Sequence, residues 1–439
     1  MIFRRFAGAL PLPDFAPKLA GGVLRAPLVG GQGLYLLASR LNAGLLAAVA
    51  VLGLSGCAAT MARNGIADAA LAKTATVANL PGVRFWADDA PRDVVAEVRR
   101  RLPNMPAVAH NASIVDGRPL VETLALSGGG SDGAFGAGVL TGWTQRGDRP
   151  EFEIVTGVSA GAIIAPFAYL GSAYDGQLKE IWTQYQTNEV ITASILPGLL
   201  GGSALADTAP LQALIAQYID KGMLRAIARE YSRGRILLVL TTNLDAQRPV
   251  VWNMGEIARA GTEEALELFR KVILASAAIP GAFPPVSIPV DAGGKSYEEL
   301  HVDGGTTREV FVLPVQAPFR AFDALYPVKP IRRLYIIKNG KITAETEVVK
   351  PTTISIAARA IATLIKSQNW GELYRIYRLA QDDGVDYNLL AVPPTFTTKA
   401  KEFFDPEYQT ALFKLGLKTG RAGGPWMKKP PTQVSALAR

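Results

Sequence analysis

The sequence predicts an α/β fold with a mostly parallel central sheet. Strand-like and helix-like runs alternate along residues 120–340, and this alternation favours parallel strands that are joined by helices. Two glycine-containing loops in this region each follow a strand-like run and precede a helix-like run. Open α/β sheets hold their functional sites in loops at the carboxyl ends of the strands. We therefore expect one site at that edge of the sheet.

The composition is that of an ordinary globular protein. The chain has 439 residues, of which 49% are hydrophobic, so it can bury a sizeable core. A single cysteine excludes an internal disulfide, and two histidines argue against a His-rich metal centre. The formal charge of +8 comes from scattered basic residues without a nucleic-acid-binding motif. We interpret it as weak affinity for anionic membranes, and we expect no nucleic-acid partner.

Residues 1–56 are expected to be an export signal. An almost continuous apolar run at residues 41–54 is too short to span a bilayer comfortably, which is typical of a signal peptide. It ends in Leu54-Ser55-Gly56-Cys57, which resembles the lipobox of bacterial lipoproteins. The resemblance implies a lipid anchor on Cys57 and, because Ala58 follows, the outer membrane of a bacterial cell envelope. The alternative is a cysteine that follows an apolar run by chance.

Residues 57–118 are predicted to be a tether and an N-terminal extension, with an amphipathic helix at residues 91–102. A strand is expected at residues 120–126 and, after a glycine-rich loop, a helix at residues 134–146. Three small residues, Ala134, Gly138 and Gly142, recur every four positions along this helix. Their stripe predicts close packing of the helix against the sheet.

The glycine-rich loop at residues 128–133 has three possible interpretations. Gly128, Gly130 and Gly133 satisfy the G-x-G-x-x-G pattern of a dinucleotide site, but the next strand leads to Gly157 instead of a ribose-binding acid. A Walker loop would need Lys followed by Ser or Thr, which is absent from this loop. In an oxyanion hole, consecutive glycines let backbone N–H groups converge on a developing alkoxide. We favour the oxyanion hole, because a nucleophile motif follows one strand later.

That motif is Gly157-Val158-Ser159-Ala160-Gly161, a G-x-S-x-G sequence between a strand-like run at 152–155 and a helix-like run at 162–170. Strand, tight turn and helix form the context in which this motif exposes a serine nucleophile. The turn strains the serine, and small neighbours let the hydroxyl of Ser159 stand clear. A chain with 43 glycines can also match so short a pattern by chance.

Four ordered motifs together resemble those of patatin-like phospholipases over roughly residues 120–320. They are the glycine loop at 126–133, the serine motif at 157–161, the block at 275–286 and His301-Val302-Asp303-Gly304-Gly305. The resemblance implies a three-layer fold, a catalytic domain at residues 119–330 and no cofactor or metal. The implied site residues are Ser159 as nucleophile, Asp303 as general base, and Gly128, Gly129 and Gly130 as the oxyanion hole.

The match departs from the family at Asp132, where many members have an arginine. We therefore expect only backbone donors in the oxyanion hole. On this basis Gly129→Ala is expected to reduce turnover far more than stability, because a methyl group would crowd the carbonyl oxygen or turn an N–H away.

The residues themselves leave the base open between Asp303 and His301. A Ser-His-Asp hydrolase of the α/β type needs a histidine late in the chain, and none follows Asp303. His301 lies two residues earlier on a strand-like run, so both side chains are expected to face the same side. We favour a structural or supporting role for His301. Taken alone, Asp303 followed by two glycines is also ordinary turn chemistry.

The remaining sequence is predicted to complete the domain. A Gly- and Leu-rich insert at 195–202 is expected to form either a mobile apolar lip or a buried loop, and a Pro-rich block at 279–289 either a lining for acyl chains or a plain loop. Further strands are expected at 235–243 and 249–253, and a helix at 263–277. Residues 331–439 are predicted to contain a last strand at 333–338, helices at 353–379 and 404–417, and a solvated basic tail at 418–429.

The expected function is that of a lipid acyl hydrolase that cleaves a phospholipid or another acyl ester through an acyl-enzyme on Ser159. Two alternatives remain open from the sequence. One is an esterase that uses His301 as its base, and the other is a non-catalytic lipid-binding lipoprotein of the envelope.

Overall fold

The computed structural model describes residues 63–77, 79–89, 96, 113–193, 206–312 and 318–432. The predicted signal peptide, Cys57 and the insert at 195–202 lie outside these residues, as does the predicted helix at 91–102 apart from Ala96. In the part of the chain that is described, no helix is both long enough and apolar enough to cross a bilayer.

The strands are β1 (Arg84–Trp86), β2 (Ile114–Val115), β3 (Arg118–Leu126), β4 (Ile154–Val158), β5 (Thr192–Ala193), β6 (Ala206–Asp207), β7 (Ile236–Asn243), β8 (Arg248–Asn253), β9 (Val286–Ala292), β10 (Lys295–Asp303), β11 (Ile331–Lys338) and β12 (Asp386–Ala391). The helices are α1 (Ala69–Thr74), α2 (Gly133–Arg146), α3 (Ala160–Leu170), α4 (Asp175–Thr183), α5 (Thr187–Val190), α6 (Ala209–Tyr218), α7 (Lys221–Ser232), α8 (Met254–Ala260), α9 (Glu263–Ser276), α10 (Thr353–Asp383) and α11 (Pro406–Arg421).

The sheet is mixed, with a parallel centre, as the sequence predicts. Its main path runs β1-β8-β7-β4-β3-β11-β12. The four consecutive pairs from β7 to β12 along this path, β7–β4, β4–β3, β3–β11 and β11–β12, are parallel. The pairs β1–β8, β7–β8, β7–β10 and β9–β10 are antiparallel. The expected α/β architecture with a mostly parallel sheet is therefore confirmed.

Helices cover both faces of the sheet. Successive residues of a strand point to opposite faces, so neighbouring residues of β3 join different cores. Leu124 and Leu126 of β3 join the core that contains α2, α3, α9 and α11. Ala125, between them, joins a different core, to which α10 contributes Leu373 and Ile376. The result is three layers, with helices, sheet and helices in succession.

The small-residue stripe on α2 packs against a helix and not against the sheet, which corrects the expectation. A Cβ atom placed on Gly138 would lie 2.2 Å from the carbonyl oxygen of Phe413 in α11. The approach is reciprocal, since a Cβ atom on Gly416 of α11 would lie 2.2 Å from the carbonyl oxygen of Phe135. The two helices thus touch backbone to backbone, and only glycine permits this distance.

We expect Gly416→Ala to destabilise the fold by about 1–3 kcal/mol, because the added methyl group has no space to enter. The matched control is Gly371→Ala on α10, where a Cβ atom would meet nothing within 4 Å. That substitution should stabilise the protein by about 0.5–1 kcal/mol through helix propensity. Urea unfolding of both variants measures the difference. Equal effects would contradict close packing of α2 on α11.

Three further elements differ from the sequence-based expectations. The Pro-rich block continues into strand β9, and β11 is not the last strand because β12 follows α10. The expected loose basic tail is also packed. Residues up to Arg421 belong to α11, the backbone of Met427 pairs with that of Leu389, and Lys428 binds Asp386.

Candidate active site

The sheet register brings Ser159 and Asp303 together although they are 144 positions apart. One edge of β7 is occupied by β8, so β4 and β10 share the other edge. On that edge Val158 of β4 pairs with Leu240, and Asp303 of β10 pairs with Thr241. The end of β10 therefore lies directly beyond the end of β4, where Ser159 begins the turn.

The turn around Ser159 is strained and tightly packed. Ser159 has φ 54° and ψ −124°, a conformation that non-glycine residues seldom adopt. A Cβ atom on Gly157 would lie 2.5 Å from the carbonyl oxygen of Gly161, and one on Gly161 would lie 2.3 Å from that of Leu126. Both glycines of the motif are thus required by close backbone contacts.

Ser276 fastens this turn from the end of α9. Its hydroxyl accepts a hydrogen bond from the Ser159 N–H at 2.9 Å and donates one to the Leu240 carbonyl at 2.7 Å. The N–H of the strained residue is thereby satisfied by a side chain that is itself held by β7. The block that contains Ser276 is notable in the sequence only for the family resemblance, and no local pattern indicates this role of Ser276.

Asp303 is buried and holds the hydroxyl of Ser159. Its Oδ2 accepts a hydrogen bond from Ser159 Oγ at 2.6 Å, and its Oδ1 accepts one from the Gly305 N–H at 2.7 Å. Burial raises the pKa of Asp303 to about 7, although these two hydrogen bonds act in the opposite direction. A carboxylate with a pKa near neutrality is a better proton acceptor than an ordinary aspartate.

His301 does not contact Ser159 and belongs to a separate buried network. Its Nδ1 lies 2.9 Å from Thr241 Oγ1, and its Nε2 lies 3.2 Å from Glu299 Oε2. Thr241 Oγ1 also accepts the indole N–H of Trp252, so we assign the Thr241 proton to Nδ1 and the imidazole proton to Nε2. Burial lowers the pKa of His301, which favours the neutral ring. With both nitrogens engaged, the ring supports the sheet beneath the site.

Glu299 connects this network to the N-terminal part of the described chain. Its carboxylate forms a two-point ion pair with Arg84. Burial alone would raise the pKa of Glu299, but the hydrogen bonds from His301 and Arg84 lower it to about 2. The histidine thus packs against a carboxylate that is already neutralised by an arginine.

The glycine loop offers two of the three expected donors. The Gly128 N–H donates to the Glu309 carbonyl at 2.9 Å, so it is not free to bind an oxyanion, which corrects that part of the prediction. The N–H groups of Gly129 and Gly130 donate to no atom within the described residues. Ala160 follows Ser159 as the first residue of α3, and its N–H also donates to no atom within the described residues. These three groups are the candidate oxyanion donors.

Asn339, at the end of β11, holds the glycine loop in place. Its backbone N–H and its side-chain amide donate to the hydroxyl and the carbonyl of Ser127, and its Oδ1 accepts the N–H of Gly136. Its carbonyl oxygen would lie 1.9 Å from a Cβ atom on Gly129. Asn339 therefore requires glycine at position 129. The only sequence signal for Asn339 is a weak one, an Asn-Gly pair at a strand end.

The Asp132 side chain bonds to α11. One of its carboxylate oxygens accepts a hydrogen bond from Tyr408 at 2.5 Å. Burial raises its pKa, with Tyr408 and Lys338 acting in the opposite direction. It ties the start of α2 to α11 and gives the site no positive charge.

An apolar cavity that is partly open to solvent lies at Ser159. Ser159 and Gly130 are among the residues that line it. Most of the other lining side chains are aliphatic or aromatic, and they include Ile163, Phe167, Leu214, Ile215, Ile279 and Phe283. Two of these come from the Pro-rich block. The hydroxyl that contacts Asp303 thus faces a space suited to a hydrocarbon chain.

The described part of the chain contains no group of three or more His, Cys, Asp or Glu side chains placed to hold a metal ion. The arrangement around Ser159 can activate a hydroxyl, bind a developing negative charge through backbone N–H groups, and accommodate an apolar chain.

The chain resembles known proteins over part of its length. No curated protein matches the sequence. The solved structure of VipD from Legionella pneumophila is similar with a TM-score of 0.34 and 13% identity, over 69% of this chain and 66% of that one, just under two thirds of its length. A family model described as patatin-like phospholipase matches residues 124–315. Residues 124–315, which include Ser159 and Asp303, therefore form a domain that matches the patatin-like phospholipase family.

Proposed function

We propose that this protein is a lipid acyl hydrolase with a Ser159–Asp303 dyad. The observation that carries the proposal is the 2.6 Å hydrogen bond from Ser159 Oγ to the buried Asp303 carboxylate, with Ser159 in the lining of an apolar cavity. The match of residues 124–315 to the patatin-like phospholipase family supports the same chemistry.

In the first half of the reaction, Ser159 Oγ attacks the ester carbonyl carbon while its proton passes to Asp303 Oδ2. The resulting oxyanion is stabilised by the N–H groups of Gly129, Gly130 and Ala160. When the tetrahedral intermediate collapses, the bond from carbon to the leaving oxygen breaks and that oxygen takes the proton from Asp303. The acyl group remains on Ser159 as an ester.

In the second half, Asp303 accepts a proton from water, and the hydroxide attacks the acyl-enzyme carbonyl. Collapse of this second intermediate releases the fatty acid, and the proton returns from Asp303 to Ser159 Oγ. The hydrocarbon chain stays in the apolar cavity throughout. The substrate class that fits is an acyl ester with a long apolar chain, such as a phospholipid.

Labelling with a fluorophosphonate probe tests whether Ser159 is an active nucleophile. We expect the folded protein to be labelled stoichiometrically, and Ser159→Ala to be unlabelled with an unchanged circular dichroism spectrum. Labelling at another serine would contradict the assignment. A folded protein that does not react at all would favour a non-catalytic lipid-binding protein.

We also propose that Cys57 carries a lipid anchor that holds the protein at a bacterial envelope membrane. The proposal rests on Leu54-Ser55-Gly56-Cys57 after an apolar run, and on Cys57 being the only thiol in the sequence. Metabolic labelling with a palmitate analogue is expected to mark the wild-type protein but not Cys57→Ala. Equal labelling of the two proteins would exclude Cys57 as the acylated residue.

A further inference from the structure

Helix α10 is much longer than the strands that it connects. It joins β11 to the parallel strand β12, so it runs antiparallel to them and starts at their carboxyl edge. Its 31 residues correspond to about 46 Å, at 1.5 Å per residue. The 8 residues of β11 span about 26 Å. The helix therefore extends beyond the sheet.

The extension is at the amino-terminal half of α10. The buried side chains of this helix are Asn369, Leu373, Ile376, Ala380 and Asp383, all in its second half. Of the side chains that are described between residues 353 and 368, none is buried. We call residues 353–368 the projecting half of α10. It extends past the carboxyl edge of the sheet, which is also the edge where Ser159 lies.

The base of the projecting half lies next to the candidate active site. The side-chain amide of Gln368 donates a hydrogen bond to the carbonyl of Thr307, four residues after Asp303. The segment that precedes α10 folds back along it, since Lys366 binds the Thr343 carbonyl and Glu345, and Arg359 pairs with Glu347. The projecting half and residues 343–348 therefore form one surface.

This surface exposes large apolar side chains. Val348 is 95% exposed, Leu364 is 70% exposed and Ile356 is 54% exposed. Ile356, Ala360 and Leu364 are four residues apart and form one row along the helix. An exposed apolar row on a helix that projects from the body indicates a binding surface.

The charge and position of the surface favour a lipid bilayer as its partner. Residues 341–368 contain Lys341, Lys350, Arg359 and Lys366 against two acids, Glu345 and Glu347. This cationic excess complements the anionic surface of a membrane. The apolar cavity at the same edge takes a chain that resides in a bilayer, so a bilayer at this edge would present it to Ser159.

We propose that the projecting half of α10, together with Val348, docks on the surface of an anionic bilayer and places the Ser159 cavity against it. The side chains of Val348, Ile356 and Leu364 enter the boundary between headgroups and acyl chains, as in other interfacial helices. This inference rests on the proposed function for the identity of the substrate, but the docking itself can be measured without catalysis.

The first test places an environment-sensitive fluorophore on the surface of the full chain. Cys57→Ala removes the only thiol, so Leu364→Cys gives a single labelling site. Val328→Cys is the matched control, because Val328 is 52% exposed and precedes β11 at the opposite edge of the sheet. We expect a blue shift and an intensity increase at position 364 when vesicles of phosphatidylglycerol and phosphatidylcholine are added, and no change at position 328.

Absence of a response at position 364 would overturn the proposal, as would equal responses at both positions. A shift that appears without vesicles and grows with protein concentration would identify a second copy of this chain as the partner, which also overturns it.

The second test measures hydrolysis by the triple variant Val348→Ser, Ile356→Ser, Leu364→Ser against Val328→Ser. The triple variant should hydrolyse long-chain phospholipid vesicles at least about tenfold more slowly than wild type, because it removes apolar area from the docking surface. Both variants should keep the wild-type rate on a soluble short-chain ester. Unchanged vesicle hydrolysis by the triple variant contradicts the docking role. A wild-type protein that cleaves neither substrate contradicts the proposed function instead, while the fluorophore still reports docking.

Discussion

Asp303→Asn is expected to reduce the rate of ester hydrolysis by about 10²–10⁴-fold, the contribution typical of a single positioned base. Asparagine has nearly the same shape as aspartate and its amide can still bond to Ser159, so the fold survives while the proton acceptor is lost. The measurement is kcat/KM on a soluble short-chain ester, with the folded fraction checked by circular dichroism.

The rate of hydrolysis by the wild-type protein should rise with pH, because a general base acts only in its ionised form. The pKa of Asp303 is about 7 because of burial, and only the ionised form accepts a proton. Hydrolysis should therefore increase as pH rises through about 7 and reach a plateau above it. The residual activity of Asp303→Asn should lack this step. A wild-type profile that is flat between pH 5 and 9 would exclude Asp303 as the titrating base.

The same pKa predicts that Asp303→Asn stabilises the protein at high pH. The carboxyl group is harder to ionise in the folded protein than in the unfolded chain, whose pKa is about 3.9. Its ionisation therefore lowers the free energy of unfolding. This loss is absent below pH 4 and complete above pH 7. We expect the variant to be more stable than wild type by about 1–4 kcal/mol at pH 8, and equally stable near pH 4.

His301→Gln is the control for the choice of base. Glutamine can still donate to Glu299, but it cannot replace the packing of the ring against Trp252, whose centroid is 5.6 Å away. We expect a lower melting temperature and a nearly unchanged kcat in the folded protein. Equal losses of kcat in the Asp303 and His301 variants would point to a relay through His301.

Gly129→Ala and Gly130→Ala are expected to fail in different ways. A Cβ atom on Gly129 would lie 1.9 Å from the Asn339 carbonyl oxygen, and three hydrogen bonds hold Asn339 in place. This variant should therefore lose more than about 3 kcal/mol of stability, as overpacking against a fixed backbone does. We therefore replace the sequence-based expectation, that Gly129→Ala reduces turnover far more than stability, with this one.

Gly130→Ala separates the oxyanion role from folding. A Cβ atom on Gly130 would meet nothing within 4 Å, and its φ of 55° is one that alanine adopts at a cost of about 1 kcal/mol. The methyl group and the strain disturb a donor that lines the cavity beside Ser159. We expect a loss of about 10²-fold in kcat, within the range measured for one oxyanion donor. A variant with wild-type kcat would show that the Gly130 N–H does not bind the developing charge.

The parts of the fold that follow local rules could be predicted from the sequence. Each predicted strand and helix around the glycine loop and Ser159 is present, because alternation and turn residues act within a few positions of one another. The role of Ser276 could not be predicted, since it depends on a contact between α9 and a turn 117 positions away. Asn339 and the glycines between α2 and α11 were hidden for the same reason. Their neighbours are set by packing, which the local pattern does not encode.

Strand β7 sets the spacing of the two reacting groups in the candidate site. Leu240 and Thr241, two consecutive residues, fix the strand ends that carry Ser159 and Asp303. The distance between the two groups is thus independent of the long stretch of chain between them. Insertions at the Gly293-Gly294 turn of the β9–β10 hairpin can change its length without moving the pair. One residue added between Leu240 and Thr241 would shift the register and direct the Asp303 carboxylate to the other face of the sheet. The Ser159–Asp303 pair is thus expected to tolerate changes of length in the connecting loops but not in strand β7.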